Sequence, residues 1–244
     1  MGTVKRVDDE QMASPILKKV NLIRANGAFS PASERIVKET ALTINVDGRH
    51  FATAMILAAL EKEYVIGHLY AQGVIRRAGD IASLTIKNNT AEVALAPDAK
   101  KTPALQEVRS NLKVRHQDIL DCVRAILKSE VFTETEAVHS AGLFLDGLEP
   151  VCIAEDLGRH HALDKVIGRG LLHGVDFSRT VAASTGRQPS EMLYKCRAAG
   201  IPIIATKGVP TALAIGIAEK AGITIAGLVR GSTMIIYSHP ERVA

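Results

Sequence analysis

The stretch IPIIATKGVPTALAIGIAEKAGITIAGLVRGST, residues 201–233, decides the fold. It predicts a strand over Ile201–Ala205, a helix over Pro210–Ala221 and a strand over Ile223–Val229, because short β-branched runs enclose an alanine-rich segment of helical length. The same alternation begins at Gly158 and ends with a strand over Met234–Ser238. Strands alternating with helices are typical of an α/β layer with parallel strands. We therefore expect the second half of the chain to be α/β.

The first half has a different pattern. Residues 41–46 and 49–56 form β-prone runs around the turn dipeptide Asp47-Gly48, which predicts a hairpin followed by a helix over Leu57–Gln72. A second hairpin is expected at 82–87 and 91–96, then a polar linker at 97–112. Residues 1–38 show no sustained period and predict an irregular, partly disordered lead-in. The expected organisation is a lead-in (1–38), an N-terminal α+β domain with its linker (39–112) and a C-terminal α/β domain (113–244).

Composition excludes several classes of function. The 244 residues include 47% apolar and 23% charged residues, which is the balance of a globular protein. The net charge of +4 is spread along the chain and favours an anionic small ligand over nucleic acid, and the 4% aromatic content without Trp leaves few platforms for stacking bases. With no apolar run of about 18 residues and no signal-peptide pattern, we expect a soluble, cytoplasmic protein that contacts no membrane.

The three cysteines, Cys122, Cys152 and Cys196, are far apart in the sequence. They form no C-x-x-C pair, so they predict neither a disulfide framework nor a zinc knuckle. Cys122 lies on the apolar stripe of a helix predicted over His116–Ser129, which favours a core role. Cys152 lies in the second strand of a third hairpin, around Asp146-Gly147.

The helix that opens near Gly158 carries two basic residues in its first turn. Helical geometry places Arg159 and His160 on the same side as the buried stripe, and His161 and Lys165 elsewhere. A cation in the first turn is disfavoured by the positive end of the helix dipole. The arrangement makes more sense if an anion binds there to the free backbone N–H groups. The alternative, equally open, is an ion pair of Arg159 with Glu155 or another carboxylate.

Three loops that each follow a predicted strand combine glycine, cations and hydroxyls. Because the carboxyl ends of parallel strands share one edge of a sheet, the loops would converge there and suit phosphate. Each loop alone is better explained as a turn with solvated charges. The residues concerned are Gly186, Arg187, Lys207, Gly208, Arg230, Gly231, Ser232 and Thr233.

His139 is a candidate ligand or base, although a lone histidine is more often a hydrogen-bonded structural residue. The sequence contains no Walker loop, no G-x-G-x-x-G and no G-x-S-x-G, so it supports binding rather than nucleotide hydrolysis or acyl transfer. His139 also lacks the nearby Glu and the cysteine pair of a zinc deaminase. We predict no metal ligated by protein side chains and name no catalytic residue.

Several motifs follow one another in the second half of the chain: EDLGRHHALDKVIG at 155–168, Thr185-Gly186-Arg187, Gly200-Ile201-Pro202, Pro210-Thr211 and Tyr237-Ser238-His239-Pro240-Glu241-Arg242. Together they resemble the FdhD/NarQ family of formate dehydrogenase accessory sulfurtransferases. The resemblance implies a cytoplasmic homodimer with a cytidine-deaminase-like layered sheet in its C-terminal half. It further implies binding of the molybdenum bis(molybdopterin guanine dinucleotide) cofactor as a client, by a segment that corresponds to Leu228, Val229, Arg230, Gly231, Ser232 and Thr233.

Members of the family receive sulfur as a persulfide from a cysteine desulfurase and pass it to the cofactor before the cofactor enters formate dehydrogenase. They carry that sulfur on a C-G-x-C-G loop, where this chain has the cysteine-free residues 94–102. Two hypotheses result. The first is an accessory protein that binds the cofactor and assists its sulfuration or delivery to formate dehydrogenase, in which case loss of the persulfide in Cys122→Ala would show that Cys122 substitutes for the family cysteines. The second is a non-catalytic cofactor- or nucleotide-binding chaperone that has lost the persulfide cysteine. In both, Arg159, Arg187, Lys207 and Arg230 neutralise pyrophosphate, and His139 and His160 face the ligand.

Overall fold

The computed structural model describes residues 16–99 and 107–244, which form three sheets and six α-helices. The strands are β1 (Leu17–Ala25), β2 (Phe29–Val37), β3 (Thr40–Val46), β4 (Arg49–Ile56), β5 (Ile81–Lys87), β6 (Thr90–Leu95), β7 (His139–Leu145), β8 (Glu149–Asp156), β9 (Thr180–Ser184), β10 (Ile203–Thr206), β11 (Thr224–Arg230) and β12 (Thr233–Ser238). The helices are α1 (Glu61–Ala71), α2 (His116–Ile126), α3 (Glu130–Thr135), α4 (Arg159–Leu172), α5 (Ser190–Ala199) and α6 (Ala212–Ala221).

The second half is a six-stranded sheet between two helical layers. Its strand order is β12-β11-β10-β9-β7-β8, and β9, β10 and β11 run parallel. Because successive side chains of a strand point to opposite faces, Ala182 packs with α4, α5 and α6, whereas Val181 and Ala183 pack with α2. The prediction of α/β structure is confirmed, and the helices and strands agree with those expected from Gly158 onward to within about two residues at each end.

A four-stranded sheet of order β4-β3-β6-β5 packs against α1 in the first half. Both hairpins expected there, and the third one that places Cys152 in β8, are confirmed. Helix α1 packs directly on α4 at two glycines. A Cβ atom on Gly67 would stand 1.9 Å from the carbonyl oxygen of Asp164, and one on Gly168 would stand 1.9 Å from that of Glu63. The two halves are therefore joined by a helix contact that only glycine permits.

The expectation of an irregular lead-in is wrong for residues 17–37. These residues form the antiparallel hairpin of β1 and β2, turned at Asn26-Gly27. Most of the hairpin is exposed on both faces, with Phe29 84% exposed. The period-2 alternation that identifies a half-buried strand is consequently missing from its sequence. Residues 1–15 of the expected lead-in and residues 100–106 of the expected linker lie outside the described residues.

The orientation expected for Lys165 is also wrong. Lys165 is fully buried, and its Nζ lies 2.7 Å from Oδ2 of Asp156, which is buried as well. Helix α4 packs against the large sheet on one side and against α1 on the other, so it buries two stripes of side chains rather than one. His160 and His161 are both half-buried, with side chains 24% and 26% exposed.

The described residues include no helix long and apolar enough to cross a membrane.

Candidate functional site

The carboxyl ends of β9, β10 and β11 meet at one edge of the large sheet, as expected for parallel strands. Backbone hydrogen bonds tie the loops that follow these strands together. Lys207 N donates to the carbonyl oxygen of Ser184 over 3.2 Å, and Leu228 N donates to that of Gly208 over 2.8 Å. Because β7 runs antiparallel to β9, its first residue, His139, lies at the same edge.

A cleft of about 320 Å³ lies on this edge. We call it the sheet-edge cleft, and its volume is at the lower end of the range that holds small ligands, roughly 300–1,000 Å³. Its lining comes from α3, from the start of β7 and from the three loops: Phe132, Glu136, Val138, His139, Thr185, Lys207, Gly208 and Arg230. The structure thus brings His139, Lys207 and Arg230 together from the residues expected at the site.

The cations of the cleft have no counter-ion in the described part of the chain. Neither Lys207 nor Arg230 has a carboxylate within ion-pair distance there, and both residues are exposed. Gly208 lies against the preceding loop, since a Cβ on it would be 2.9 Å from the carbonyl oxygen of Gly186. Two cations without a counter-ion provide the charge that binding of an anion requires.

His139 lies on the floor of the cleft. Its Nδ1 is 3.2 Å from the hydroxyl oxygen of Thr185, which also accepts a hydrogen bond from Ser140 N. Burial, and then the positive charge of Arg159, lower the pKa of His139 below its ordinary value of 6.5. The imidazole is therefore neutral at pH 7 and can donate one hydrogen bond and accept another.

Arg159 lies behind the cleft rather than on its lining. Its side chain packs on Gly186, where a Cβ would stand 2.6 Å from Cδ of Arg159, and its buried Nε has no hydrogen-bond partner among the described residues. The alternative pairing with Glu155 is not formed. The carboxylate of Glu155 instead accepts the backbone N–H of Phe132 over 2.6 Å, which fixes the start of α3.

Two of the expected residues lie apart from the cleft lining. His160 is 3.6 Å from a carboxylate oxygen of Glu191, and burial, together with the charges of Arg159 and Lys195, lowers its pKa. Arg187 is exposed on the loop after β9. Neither Arg187 nor His160, which lies in the first turn of α4, lines the cleft.

The segment 228–233 divides between the cleft and a neighbouring slot. Only Arg230 lines the cleft; Val229 and Gly231 line a slot of about 250 Å³ that also includes Lys207 and Arg230. The backbone N–H of Leu228 donates to the carbonyl oxygen of Gly208, and the residues Ser232 and Thr233 are exposed. Arg124 of α2 donates from Nη2 to the carbonyl oxygen of Gly231 over 2.8 Å and holds this turn in place.

The three thiols are poorly suited to nucleophilic chemistry. Cys122 is buried and its Sγ donates to the carbonyl oxygen of Gly147, which confirms its predicted core position. Burial raises the pKa of Cys122 and of Cys196 to about 12 and that of half-buried Cys152 to about 11. Because the thiolate is the reactive form, these environments suppress reactivity.

Sequence reasoning missed the wall formed by Phe132, Glu136 and Val138. These residues precede β7, which runs antiparallel to β9. The segment that leads into β7 therefore lies at the edge of the sheet where the parallel strands end. That rule could have identified them, but it requires the order of strands in the sheet, which the sequence did not provide.

Comparisons with known proteins agree with the expected family. The model of the FdhD/NarQ family matches residues 37–108 and 98–244. The chain is 30% identical to the sulfur carrier protein FdhD of Methanothermobacter thermautotrophicus over 93% of its length and 99% of that protein. It is 36% identical to the protein of the same name from Sulfurisphaera tokodaii, over 81% of the chain and 86% of that protein.

A solved structure has the same fold. A candidate formate dehydrogenase accessory protein from Desulfotalea psychrophila superposes with a TM-score of 0.84 at 26% identity, over 94% of this chain and all of that one. The family match begins at residue 37 and so includes the first half as well as the second half, in which the motifs lie. On these matches, and on the motifs in its second half, the chain belongs to the FdhD/NarQ family.

Proposed function

We propose that this protein is an accessory protein of formate dehydrogenase maturation that binds the guanine dinucleotide form of the molybdenum cofactor by its diphosphate. The observation that carries the proposal is the sheet-edge cleft, in which Lys207 and Arg230 stand without counter-ions beside the neutral His139. The formate dehydrogenase client comes from the relatives, which are named as sulfur carriers of the FdhD type, and from the similar structure of an accessory protein.

The residues present fit a diphosphate. Lys207 and Arg230 supply charge, and the hydroxyl of Thr185 and the backbone at Gly208 supply further polar groups. The cofactor is the client, so the role of these side chains is to bind and orient it.

A calorimetric titration with GDP tests the proposal. The parent protein should bind GDP, and Arg230→Ala should weaken binding at least about tenfold, because a charge-assisted hydrogen bond contributes about 1.5–3 kcal/mol. Arg179→Ala is the matched control, since Arg179 precedes β9 at the opposite edge of the sheet and pairs with Asp146. No heat of binding in the parent, or equal losses in the two variants, would contradict the proposal.

The state of the cysteines bears on the choice between two versions of this function. A sulfur carrier needs a thiolate that can accept sulfur from a cysteine desulfurase, and all three thiols here have raised pKa values. This observation favours the second candidate, a chaperone that binds and delivers the cofactor without carrying a persulfide. The family relationship to named sulfur carriers favours the first.

Incubation with a cysteine desulfurase and cysteine separates the two versions. The chaperone version predicts that mass spectrometry of the native protein finds no added sulfur. A persulfide that disappears in Cys122→Ala would establish the carrier version with Cys122 as its thiol, whereas the GDP titration would be unaffected in either case.

The family relationship brings further proposals. We expect a homodimer that works in the cytoplasm and contacts formate dehydrogenase, and also a cysteine desulfurase if sulfur is carried. The division into domains at 39–112 and 113–244, and the cytidine-deaminase-like layering of the second, remain predictions. Analytical ultracentrifugation tests the dimer.

A further inference from the structure

His139 lies among cations in the sheet-edge cleft and is a third group there that can carry positive charge. Lys207 and Arg230 line the same cleft, and Arg159 lies behind it. We propose that the cleft is a proton-coupled anion site, in which His139 takes up a proton from solvent when a diphosphate binds. This inference rests on the proposed function, since it assigns the pH dependence of the same diphosphate site.

The surroundings of His139 disfavour a positive charge on its ring before an anion binds. Burial and the charge of Arg159 lower the pKa of His139. Asp156 lies opposite His139 in β8, but its carboxylate already pairs with Lys165 and His161. The charged and titratable groups on the elements around His139 are Arg159 and His160 of α4, Asp156 of β8, Glu136 after α3, and Lys207 and Arg230 of the loops. The unpaired charge around the imidazole is therefore mainly positive.

The hydroxyl of Thr185 can satisfy Nδ1 of His139 in both protonation states. Its oxygen lies 3.2 Å from that nitrogen and accepts the backbone N–H of Ser140 over 3.1 Å. A threonine hydroxyl has one donor and two acceptor positions, so it can donate to a bare Nδ1 or accept from a protonated one. Protonation of His139 therefore costs no hydrogen bond within the protein.

The other ring nitrogen of His139 remains for the ligand. Nε2 has no hydrogen-bond partner in the part of the chain that the structure describes, whereas Nδ1 is within reach of Thr185. Both nitrogens of a protonated imidazole are donors. His139 can thus donate from Nε2 to a phosphate oxygen while Nδ1 donates to Thr185, and the bond to the phosphate is then charge-assisted.

A bound diphosphate reverses the balance of charge around the imidazole. Its negative charges offset those of Lys207 and Arg230, and an opposite charge close to a titratable group favours the charged form of that group. The pKa of His139, which lies below 6.5 in the free protein, therefore rises in the complex. Because linkage is reciprocal, the affinity for the diphosphate increases as pH falls through the pKa of the complex, and it levels off below the pKa of the free protein.

Calorimetric titration of the full-length protein with diguanosine diphosphate tests the inference. The diphosphate of this probe links two guanosines, so it has no terminal phosphate that titrates between about pH 5 and 8, as that of GDP does. The parent should bind the probe at least about threefold more tightly at about pH 5.5 than at about pH 8. Near pH 6.5 the heat of binding should vary with the ionisation enthalpy of the buffer and correspond to uptake of a fraction of one proton.

His139→Asn keeps an amide that can bond Thr185 but cannot take up a proton, so it should lose both the pH dependence and the proton uptake. His160→Gln is the matched control and should retain both. His160 is also half-buried and its pKa is also lowered, but it does not line the cleft.

An NMR titration of the His139 ring in the parent is a second readout, in which the probe should raise the midpoint by at least about one pH unit. Binding that is independent of pH and takes up no proton would overturn the inference while leaving the diphosphate site intact. A pH dependence that persists in His139→Asn, or an unshifted midpoint, would do the same. Failure of the parent to bind diguanosine diphosphate, GDP and pyrophosphate at any pH would instead overturn the proposed function and this inference with it.

Discussion

Replacing Lys165 by Met should cost about 3–5 kcal/mol of unfolding free energy. The ammonium of Lys165 is fully buried and donates to the carbonyl oxygens of Leu57 and Glu155 over 3.0 and 2.9 Å, besides pairing with Asp156 over 2.7 Å. The substitution removes all three interactions and leaves a buried carboxylate without its charge partner. Because a domain is stable by only about 5–15 kcal/mol, this loss is a large part of the total.

Urea unfolding followed by circular dichroism measures this effect. Lys220→Met on the exposed face of α6 is the control and should change the unfolding free energy by less than about 0.5 kcal/mol. The double variant Asp156→Asn with Lys165→Met should be less destabilised than Lys165→Met alone, since no charge is then stranded. A loss below about 1 kcal/mol in Lys165→Met, or a double variant as unstable as the sum of the singles, would refute this reasoning.

Three further outcomes are expected. Gly67→Ala should destabilise the protein by at least about 3 kcal/mol, because the added Cβ would stand 1.9 Å from a backbone carbonyl oxygen of α4. Gly216→Ala is the control and should be neutral or stabilising, because its added Cβ would meet nothing within 4 Å. Equal unfolding midpoints in the two variants would contradict the close contact between α1 and α4. Burial tends to raise the pKa of Asp156, but the hydrogen bond from His161 and the charge of Lys165 outweigh burial and lower the pKa. The stability that this carboxylate contributes is therefore present above its unfolded pKa near 3.8 and is lost as pH falls through its folded value, so the unfolding midpoint of Asp156→Asn should vary less with pH than that of the parent between about pH 5 and 2. The thiols of Cys122 and Cys196 should react with a disulfide reagent only after unfolding, and rapid labelling of either in the native protein would show that it is accessible.

The local sequence pattern was sufficient to predict the helices and strands of most of the C-terminal half. Strands such as Thr180–Ser184 and helices such as Ser190–Ala199 agree with the sequence prediction because each is a short element whose ends are marked by turn residues and whose packing agrees with its propensity. The hairpin at 17–37 was missed because its strands are exposed on both faces, so burial left no alternation in the sequence. Exposure rather than composition limited the prediction there.

Tertiary contacts decided the rest. Lys165 could not be placed from one apolar stripe, because α4 is covered on a second side by α1. Lys207 and Arg230 were predictable as neighbours, since the carboxyl ends of parallel strands share an edge, but Arg187 and His160 do not line the cleft. His139 lies with Lys207 and Arg230 because β7 runs antiparallel to β9. Glu136 and Phe132 depended on the order of strands in the sheet, which no local pattern contains.

A crystal structure of the protein with GDP tests the central claim most directly. We expect the diphosphate within hydrogen-bonding distance of Lys207 and Arg230. A diphosphate bound at any other surface, with the sheet-edge cleft empty at saturating GDP, would contradict the claim.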